Sequence, residues 1–393
     1  MMLDINKVRE DTPGCHDKLF FNSAGSSLPP KAVTASMIDY LKEEEQVGGY
    51  LLAAQKEAEI KAAYLEVAKM LNTTADNIAI TYNATDSYAR ALSAIPFVKG
   101  DTILTTTQDY VSNQIQFLSL QKRSGVKVVR VPGSENGDLD LDAFEQLFKA
   151  HRPKLVAVTH VPTSSGLIQD VNAIGRLCAQ VEDCYFLVDA CQSVGQLIVD
   201  VEAIQCDFLS ATTRKFLRGP RGCGFLYVSD KVLQSNLEPL FLDLYGADWV
   251  EPDQYLPVSS AQRFELWEFQ YANVVGLKEA ARYANELSMP LIEKAGLAIS
   301  GKLREALRDV AGITILDKGT HLSNIITLRK EGVGLVEMES HLKQHGVYFS
   351  VGQARNALLD ARNKGVDWFL RISPHYFNTQ EEAERLMHIV DAM

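Results

Sequence analysis

The strongest constraint on the fold is a regular alternation of short apolar runs with helix-like segments between residues 101 and 211. Runs rich in β-branched and aromatic residues predict buried strands, and the longer segments between them predict helices. The expected strands lie near 102–106, 126–131, 154–160, 184–188 and 207–211, and the expected helices near 112–124, 140–150 and 171–181. This order is typical of an α/β fold in which helices cover both faces of a mostly parallel sheet. Ligand-binding residues are then expected where the strands end.

Two ionisable residues follow consecutive strands of this series. Asp189 ends an apolar run, and Lys215 stands between the next run and a glycine-rich loop. Each residue alone is compatible with a structural role, the aspartate as a cap or salt-bridge partner and the lysine as a solvated side chain. Together they favour pyridoxal 5'-phosphate, because the carboxylate would keep the pyridine nitrogen protonated and the lysine would form the Schiff base.

A third strand, near residues 77–81, passes directly into a helix through Ala84 and Thr85. The free N–H groups and the dipole of a helix N-terminus favour an anion, so this turn is a candidate phosphate site. The alternative is that Thr85 is only the N-cap of the helix and that no ligand binds there.

The run from Val188 to Val228 resembles the class V aminotransferase family of fold-type-I pyridoxal phosphate enzymes, which includes the cysteine desulfurases. Residues 369–379, Phe-Leu-Arg-Ile-Ser-Pro-His-Tyr-Phe-Asn-Thr, are similar to the C-terminal signature of that family. The segments Asn-Ser-Ala-Gly at 22–25, Asp-Tyr-Val-Ser-Asn at 109–113 and Arg-Lys-Phe-Leu-Arg-Gly-Pro-Arg-Gly at 214–222 look closest to hercynylcysteine sulfoxide lyases and isopenicillin N epimerase-like members. A similar Ala-Thr turn in the family favours the phosphate interpretation of residues 84 and 85.

The resemblance implies a role for individual positions. Lys215 would be the catalytic residue, acting as general base and acid once it releases the cofactor to the substrate. The implied cofactor-binding residues are Ala84, Thr85, Tyr110, Thr163, Asp189, Gln192, Thr212, Arg214 and Lys215 itself. The implied substrate-binding residues are Asn22, Ala24, Gly25 and Arg371.

The family pattern also implies what these side chains contact. Tyr110 would stack on the cofactor ring, and Gln192 would hydrogen-bond the ring oxygen. Thr212 and Arg214 would bind the phosphate, and Arg371 would bind the substrate carboxylate bidentately. The alternatives are an exposed tyrosine, a structural ion pair for Arg371 and a plain turn at residues 22–25.

The chain departs from the desulfurase pattern at three places. Thr163 lies in Pro-Thr-Ser, where desulfurases often have Asn-Asn-Glu, and Arg214 replaces the usual histidine before the lysine. Trp267-Glu268 stands where several relatives have a Gly-Thr that reaches the phosphate of the partner subunit. The family implies a homodimer, whereas this last departure puts the phosphate contact between subunits in doubt.

The order of elements changes near residue 288, and we expect two domains. Residues 1–288 would form the large cofactor-binding domain, with residues 1–30 lining the site, and residues 289–393 would form a small α+β domain. The remaining expected helices lie near 30–45, 55–71, 290–309, 334–344 and 379–391, and the remaining strands near 313–316, 322–328, 347–350 and 368–373.

Composition narrows the class of protein. A formal net charge of −11 argues against nonspecific nucleic-acid binding. The six cysteines have no CxxC spacing, so we expect reduced thiols in a cytoplasmic protein. No signal peptide or long apolar segment is apparent, so no membrane association is expected. His341 and His345 share a helix face, but no third ligand is evident and we expect no metal.

The reaction is the least constrained prediction. Desulfurases need a mobile nucleophilic cysteine before the strand that carries the C-terminal arginine, and residues 349–367 contain none. We therefore expect a carbon–sulfur β-lyase that acts on a cysteine S-conjugate or sulfoxide, such as hercynylcysteine sulfoxide. An aminotransferase or amino-acid epimerase of the same family is the alternative. A binding module that holds the cofactor without turnover is disfavoured by Lys215, Asp189 and Arg371.

Overall fold

A computed structural model of the chain describes residues 3–235 and 237–393. The strands are β1 Leu19–Phe20, β2 Ile78–Thr81, β3 Thr102–Thr106, β4 Lys127–Val131, β5 Leu155–Thr159, β6 Tyr185–Asp189, β7 Phe208–Thr212, β8 Gly224–Val228, β9 Ala247–Glu251, β10 Gln254–Pro257, β11 Ile313–Ile315, β12 Ile326–Lys330, β13 Val347–Tyr348, β14 Ser350–Gln353 and β15 Trp368–Ile372.

The helices surround these strands. They are α1 Ile5–Glu10, α2 Ser23–Ser26, α3 Lys31–Val47, α4 Gly49–Gln55, α5 Glu57–Leu71, α6 Ala84–Ala94, α7 Val111–Ser124, α8 Leu141–His151, α9 Val171–Cys178, α10 Val201–Ile204, α11 Asp230–Gln234, α12 Tyr271–Leu287, α13 Met289–Arg308, α14 Leu335–Gln344, α15 Leu358–Lys364 and α16 Gln380–Asp391.

A seven-stranded sheet in the order β2-β8-β7-β6-β5-β3-β4 forms the centre of the molecule. Strands β4, β3, β5, β6 and β7 are parallel to one another, and β8 is antiparallel to both of its neighbours. The fold class predicted from the sequence is therefore confirmed. The five parallel strands deliver their carboxyl ends to one edge, which is where ligands bind in sheets of this kind.

Strand β5 shows how the sheet is buried. Val156 and Val158 pack into one hydrophobic core, while Leu155 and Ala157 pack into a second core on the opposite face. All five of its residues are buried, as expected for a parallel strand covered by helices on both sides. Helices α3, α5 and α12 pack against one another over the first core.

A smaller antiparallel sheet, in the order β11-β12-β15-β14, follows in the C-terminal part of the chain. Helices α13, α14 and α16 bury apolar side chains against it. The N-terminal segment reaches this region as well, because β1 pairs in parallel with β13 and Asn22 bridges to Ser373. Only Ser288 separates α12 from α13. The domain boundary at this residue stays a prediction.

The structure differs locally from the expected elements. Gly48 ends α3 with a positive φ of 90°, and a helix begins at once at Gly49, so α4 precedes the expected helix. The N-cap of α6 is Asn83 and not Thr85, because the Asn83 side chain accepts the N–H of Asp86. The exposed hairpin β9–β10 has no counterpart among the predicted strands.

His341 and His345 have structural partners. The ring of His341 bonds the carbonyl of Ile389, and Nδ1 of His345 bonds the carbonyl of His341. Within the described residues, no three or more His, Cys, Asp or Glu side chains are grouped to hold a metal ion. Over the same part of the chain, no helix has the length and hydropathy needed to cross a membrane.

Candidate active site

A cavity of about 200 Å³ opens where β3, β5, β6 and β7 end and α6 begins. The cavity brings together all nine of the predicted cofactor-binding residues. Its walls are formed by Asn83, Ala84, Thr85, Tyr88, Tyr110, Asn113, Thr159, Val161, Thr163, Asp189, Cys191, Gln192, Ser210, Thr212, Arg214 and Lys215.

Lys215 lies in the loop after β7 and is buried in the cavity wall. Burial lowers the pKa of its amine, and the neighbouring Arg214 and Arg371 lower it further, against the opposing effect of Asp189. The amine lies 5.9 Å from the ring centre of Tyr110. A lowered pKa makes the neutral, proton-accepting form of the amine easier to reach than it is for a solvent-exposed lysine.

The backbone on either side of Lys215 is anchored. Ser27 donates its N–H to the carbonyl of Arg214 at 2.8 Å. On the other side, the ring nitrogen Nε2 of His375 lies 2.7 Å from the carbonyl oxygen of Phe216. Burial lowers the pKa of His375 to about 3, so the imidazole is neutral and donates this hydrogen bond. The N-terminal and C-terminal segments therefore both fix the lysine loop.

Asp189 ends β6 with its carboxylate buried. Its Oδ2 accepts a hydrogen bond from Asn113 Nδ2 at 3.0 Å, and its Oδ1 accepts the N–H of Cys191 at 3.0 Å. These two bonds orient the carboxylate toward the cavity without an ion-pair partner among the described residues. A protonated ring nitrogen would complete the site, because a buried carboxylate needs a charged or hydrogen-bonding partner.

The sequence analysis did not identify a second carboxylate, Asp109, which is linked to Asp189 through the side chain of Asn113. Asp109 accepts the other hydrogen of Asn113 Nδ2 at 3.1 Å, the N–H of Tyr110 at 2.7 Å and the hydroxyl of Thr159 at 2.5 Å. Burial raises the pKa of Asp109, and the charge of Asp189 adds to the effect. The available signal was the position of Asp109 three residues after the end of β3, close to a strand end as Asp189 is.

The N-terminus of α6 forms another wall. The side chain of Asn83 accepts the N–H of Asp86 at 3.0 Å. The N–H groups of Ala84 and Thr85 belong to the first turn, which has no acceptors within the helix. The backbone of β8 approaches this turn closely, since a Cβ on Gly224 would lie 2.8 Å from the nitrogen of Ala84. Free N–H groups at a helix N-terminus suit a phosphate.

Gln192 and Thr163 line another part of the cavity, and Arg371 contacts Thr163. Gln192 donates from Nε2 to the hydroxyl of Thr163 at 3.1 Å and to the carbonyl of Ala24 at 3.2 Å. Arg371 donates to both the carbonyl and the hydroxyl of Thr163. Two buried polar atoms, Gln192 Oε1 and Arg371 Nε, have no hydrogen-bond partner. Buried polar atoms are seldom left unpaired, so this wall is suited to a polar ligand.

None of the four predicted substrate-binding residues is part of the cavity lining, although three of them, Asn22, Ala24 and Gly25, form a turn beside it. Gly25 accepts a hydrogen bond from the guanidinium of Arg214, and Ala24 donates its N–H to Ser373 at 2.9 Å. Asn22 accepts the hydroxyl of Ser350. Their contacts thus connect the N-terminal turn to the cavity and to the small sheet, and their role in substrate binding stays a prediction.

Of the six cysteines only Cys191 reaches the cavity, and the other five are buried. Burial raises the pKa of the Cys191 thiol, and the nearby Asp189 raises it further. Between β14 and β15 the chain forms helix α15, which is fixed by the ammonium of Lys364. That group contacts the carbonyl of Ser164 and the carboxylate of Asp360, each at 2.7 Å.

The donor set fits pyridoxal 5'-phosphate. Lys215 can carry the aldehyde carbon, Asp189 can hold the ring nitrogen, Tyr110 offers an aromatic face, and the first turn of α6 offers N–H groups to the phosphate. The unpaired Oε1 of Gln192 lies on the remaining side. These individual roles remain predictions.

Comparison with known proteins agrees with this arrangement. A model of the family described as aminotransferase class-V matches residues 19–386. A probable cysteine desulfurase of Methanothermobacter thermautotrophicus is 30% identical over 389 residues, which cover 96% of this chain and 95% of that protein. One of Pyrococcus abyssi is 29% identical over 397 residues, which cover 98% and 96%. These relatives do not support the finer resemblance to hercynylcysteine sulfoxide lyases.

Solved structures of cysteine desulfurases and of a C–S lyase have a fold similar to that of this chain. The apo structure of a cysteine desulfurase from Thermococcus onnurineus NA1 has a TM-score of 0.91 at 25% identity, covering 100% of this chain and 98% of that chain. The cystine C–S lyase C-DES in complex with its reaction product cysteine persulfide has a TM-score of 0.86 at 19% identity, covering 97% and 99%, which is evidence for the fold alone. The chain therefore belongs to the aminotransferase class-V family and is a pyridoxal 5'-phosphate enzyme.

Proposed function

We propose that this enzyme cleaves the Cβ–S bond of a cysteine-type amino acid by β-elimination, and that the sulfur leaves on the released fragment. The names of the relatives, which are cysteine desulfurases, support cleavage of a C–S bond. Residues 349–367 contain no cysteine, which supports a reaction in which the sulfur is not transferred to an enzyme thiol.

That absence is the observation that carries the proposal. A thiol attacks as the thiolate, so a sulfur acceptor needs a low pKa and access to the substrate. Cys191 reaches the cavity, but burial and Asp189 raise the pKa of its thiol. The other five cysteines are buried. Since α15 is fixed by Lys364 at the place where desulfurases carry their mobile cysteine, we infer that no enzyme thiol takes the sulfur.

Lys215 would remove the proton from Cα. Its buried amine has a lowered pKa, so a neutral amine is available to accept that proton. When bound, pyridoxal phosphate supplies an electron sink for the Cα–H electron pair. The Cβ–S bond then breaks with its electron pair on sulfur, and the three-carbon fragment hydrolyses to pyruvate and ammonia.

Asp189 would hold the proton on the ring nitrogen. Its two hydrogen bonds, from Asn113 and from the N–H of Cys191, fix the carboxylate before any ligand arrives. Arg371 would bind the α-carboxylate of the substrate, since among residues 3–235 and 237–393 its Nε has no hydrogen-bond partner and its guanidinium donates only to Thr163. Orientation by these two residues places Cα within reach of Lys215.

Two other reactions share this site. An aminotransferase or epimerase would use the same lysine, aspartate and arginine, and the names of the relatives favour sulfur chemistry over both. The side chain of the substrate, including a sulfoxide such as that of hercynylcysteine, stays a prediction.

We also propose that the enzyme is a homodimer. An exposed apolar surface, the hairpin surface, is formed by β9, β10 and the segment before them, and it includes Phe241, Leu244, Trp249 and Leu256. Phe241 and Trp249 are 79% and 80% exposed. An apolar surface of this kind is typical of a protein–protein interface.

The test is a screen of the cofactor-loaded enzyme with free cysteine, cystine, cysteine S-conjugates and their sulfoxides. We expect pyruvate and ammonia in equal amounts, the sulfur on the other fragment, and no persulfide on any enzyme cysteine by mass spectrometry. Lys215→Ala is expected to lose this activity and the borohydride-reducible link to the cofactor.

Two results would contradict the proposed reaction, and a third would contradict the role of Lys215. A persulfide on an enzyme cysteine during turnover would mean sulfur transfer of the desulfurase kind. Conversion of the cofactor to pyridoxamine phosphate without pyruvate from any cysteine derivative would mean an aminotransferase. A borohydride-reducible link on a different lysine would refute the role of Lys215.

A further inference from the structure

Thr163 is the hydrogen-bond partner of two side chains that are predicted to bind the ligands. Its hydroxyl accepts from Gln192 Nε2 at 3.1 Å and from the guanidinium of Arg371, and its carbonyl accepts from Arg371 at 3.2 Å. Among residues 3–235 and 237–393, the guanidinium of Arg371 donates to no other residue. The position of Thr163 therefore sets the direction in which this guanidinium points.

The residue after Thr163 is held by a lysine of α15. Lys364 donates from Nζ to the carbonyl oxygen of Ser164 at 2.7 Å and to the carboxylate of Asp360 at 2.7 Å. The side chains of Lys364 and Asp360 are only 6% and 7% exposed. The ammonium also lies 5.8 Å from the ring centre of Phe369 on β15. Because these contacts fix the ammonium, the carbonyl of Ser164 is fixed with it.

The loop that carries Thr163 has a second anchor further along the chain. The N–H of Gly166 donates to Asp317 at 3.3 Å, and the carbonyl of Gly166 accepts the N–H of Ser323 at 2.7 Å. Both anchors come from the C-terminal part of the chain. The anchor at Ser164 is adjacent to Thr163 and has the more direct effect on its position.

Stability alone does not account for the ion pair at the first anchor. The cost of taking two charges out of water is about balanced by their attraction, so apolar side chains of similar volume stabilise a fold as well. A hydrogen bond from an ammonium to a carbonyl, by contrast, is roughly twice as strong as one between neutral groups. Lys364 therefore contributes more to the placement of Ser164 than to the stability of α15.

We propose that Lys364 is a positioning residue for the substrate carboxylate. The ammonium fixes Ser164, Thr163 is held next to it in the same loop, and the guanidinium of Arg371 is directed before the substrate binds. This inference rests on the proposed function, in which Arg371 binds the α-carboxylate. Lys364 is not part of the cavity lining and acts only through the loop.

The test removes the ammonium without leaving an unpaired charge. Lys364→Met alone would leave the carboxylate of Asp360 buried without its partner, which is strongly destabilising. The double variant, Lys364→Met with Asp360→Leu, removes both charges, and its thermal unfolding is expected to stay close to that of wild type. Asp360→Asn is the matched control, because it removes the ion pair and keeps the ammonium beside the carbonyl of Ser164.

Binding to the cofactor-loaded enzyme is measured by calorimetry with methylthiopropanoate and with methylthiopropanol. The two probes have the same chain and differ in the carboxylate, and neither has an amine that could react with the cofactor. We expect wild type and Asp360→Asn to bind the acid on the order of tenfold more tightly than the alcohol, because a hydrogen bond to a charged acceptor is stronger. The double variant is expected to bind the two probes within about twofold of each other.

Turnover gives a second measurement. With a cysteine S-conjugate that the enzyme cleaves, the double variant is expected to raise KM more than it lowers kcat, because it weakens a contact that the substrate already makes before the reaction. Lys364→Arg keeps a charged donor near the carbonyl of Ser164 and is expected to retain much of the wild-type KM.

A preference for the acid that persists in the double variant would overturn the proposal. An equal loss of the preference in Asp360→Asn would also overturn it, because the ion pair and not the contact with Ser164 would then be responsible. Equal binding of the two probes by wild type would leave no carboxylate site for Lys364 to position, and the proposal would fail. Failure of the proposed reaction has a different signature. The preference and its loss in the double variant would remain, but no cysteine derivative would release pyruvate.

Discussion

Asn113 joins two carboxylates through one amide nitrogen. It donates to Asp189 at 3.0 Å and to Asp109 at 3.1 Å. Asp109 also accepts the N–H of Tyr110 at 2.7 Å. A single half-buried acid therefore fixes both the residue predicted to face the ring nitrogen and the residue predicted to stack on the ring. Such outer contacts orient functional groups without touching the substrate, so Asp109 is a positioning residue.

The substitution Asp109→Asn tests the positioning role of Asp109. Oδ1 of Asp109 accepts from Asn113 and Thr159, and Oδ2 accepts from the amide of Gln114 at 2.7 Å. Asparagine has one acceptor oxygen instead of two, so its NH2 group would face the donor of Gln114, and the orientation of Asn113 toward Asp189 should weaken. We expect kcat to fall on the order of tenfold or more, with a smaller change in KM. The absorbance of the bound cofactor should also change its pH dependence, because the proton on the ring nitrogen depends on the placement of Asp189.

Asp101→Asn is the control, since Asp101 lies at the opposite end of β3 and caps the N–H of Val98. A general loss of stability would affect both variants alike. An unchanged spectrum with reduced activity in Asp109→Asn would refute the positioning role.

At the scale of residues, the sequence predicted which side chains come together in the cavity lining but not how they contact one another. Asp189, Lys215 and Gln192 follow strand ends, and a parallel sheet brings such positions together. The contact of Asn113 with Asp189 depends on the order β6-β5-β3, which is not visible in the sequence. The direction in which Arg214 extends depends on a turn of the N-terminal segment that is distant in sequence.

Among the elements, the edge strand β2 is protected by the carboxyl group of Glu265. Glu265 follows the 3-10 helix Ala261–Phe264 and accepts the N–H of Ile80 at 2.6 Å and the hydroxyl of Tyr64 at 3.0 Å. The N–H of an edge strand would otherwise be free to pair with another chain. Burial raises the pKa of Glu265 from 4.5 to about 8, so the side chain is protonated in the folded protein at neutral pH.

This shift predicts how stability depends on pH. Between pH 4.5 and about 8 the folded state retains a proton that the unfolded state loses. Stability from this residue therefore falls as pH rises through that window, because the state that binds more protons is favoured at low pH. Glu265→Gln cannot ionise and should remove this dependence, with a relative gain on the order of a few kcal/mol at the upper end of the window.

Thermal unfolding of both proteins across the window measures the effect. Glu268→Gln, an exposed neighbour, should keep the pH dependence of wild type. Parallel curves for wild type and Glu265→Gln would show that the Glu265 carboxyl titrates normally.

Predicted and observed elements agree best where the residues are buried, because buried positions require apolar side chains. The five parallel strands of the main sheet lie within two residues of their predicted bounds. Four of them are buried along almost their whole length, and only β4, at the edge of the sheet, is mostly half-buried. Strands β9 and β10 were not predicted, since neither buries one face against the rest of the chain. The spacing of apolar residues in a sequence reflects burial against the rest of the same chain. A strand without a buried face therefore cannot be recognised from that spacing.

On the scale of the whole molecule, the hairpin surface provides the test of the dimer. Trp249→Asp places a charge in the most exposed part of this surface and should convert a dimer to a monomer, because a charge buried in an apolar interface has no partner. Light scattering coupled to gel filtration measures the mass.

Val336→Asp is the matched control, because Val336 is an apolar residue of α14 that is 81% exposed. This variant should remain a dimer. A monomeric wild type, or a dimer unaffected by Trp249→Asp, would refute the hairpin surface as the interface.

The pairing of β1 with β13 has a consequence for how the protein is made. Asn22 and Ser350 are in contact although 328 residues separate them in the chain. Ribosomes synthesise the N-terminal end first, and domains begin to fold as they emerge. The turn that follows β1 can dock only after β13 and β15 have left the ribosome. The turn at residues 22–25 is therefore translated first but docked last. A nascent chain in which the cavity around Lys215 has formed still lacks this turn, which is predicted to bind the substrate.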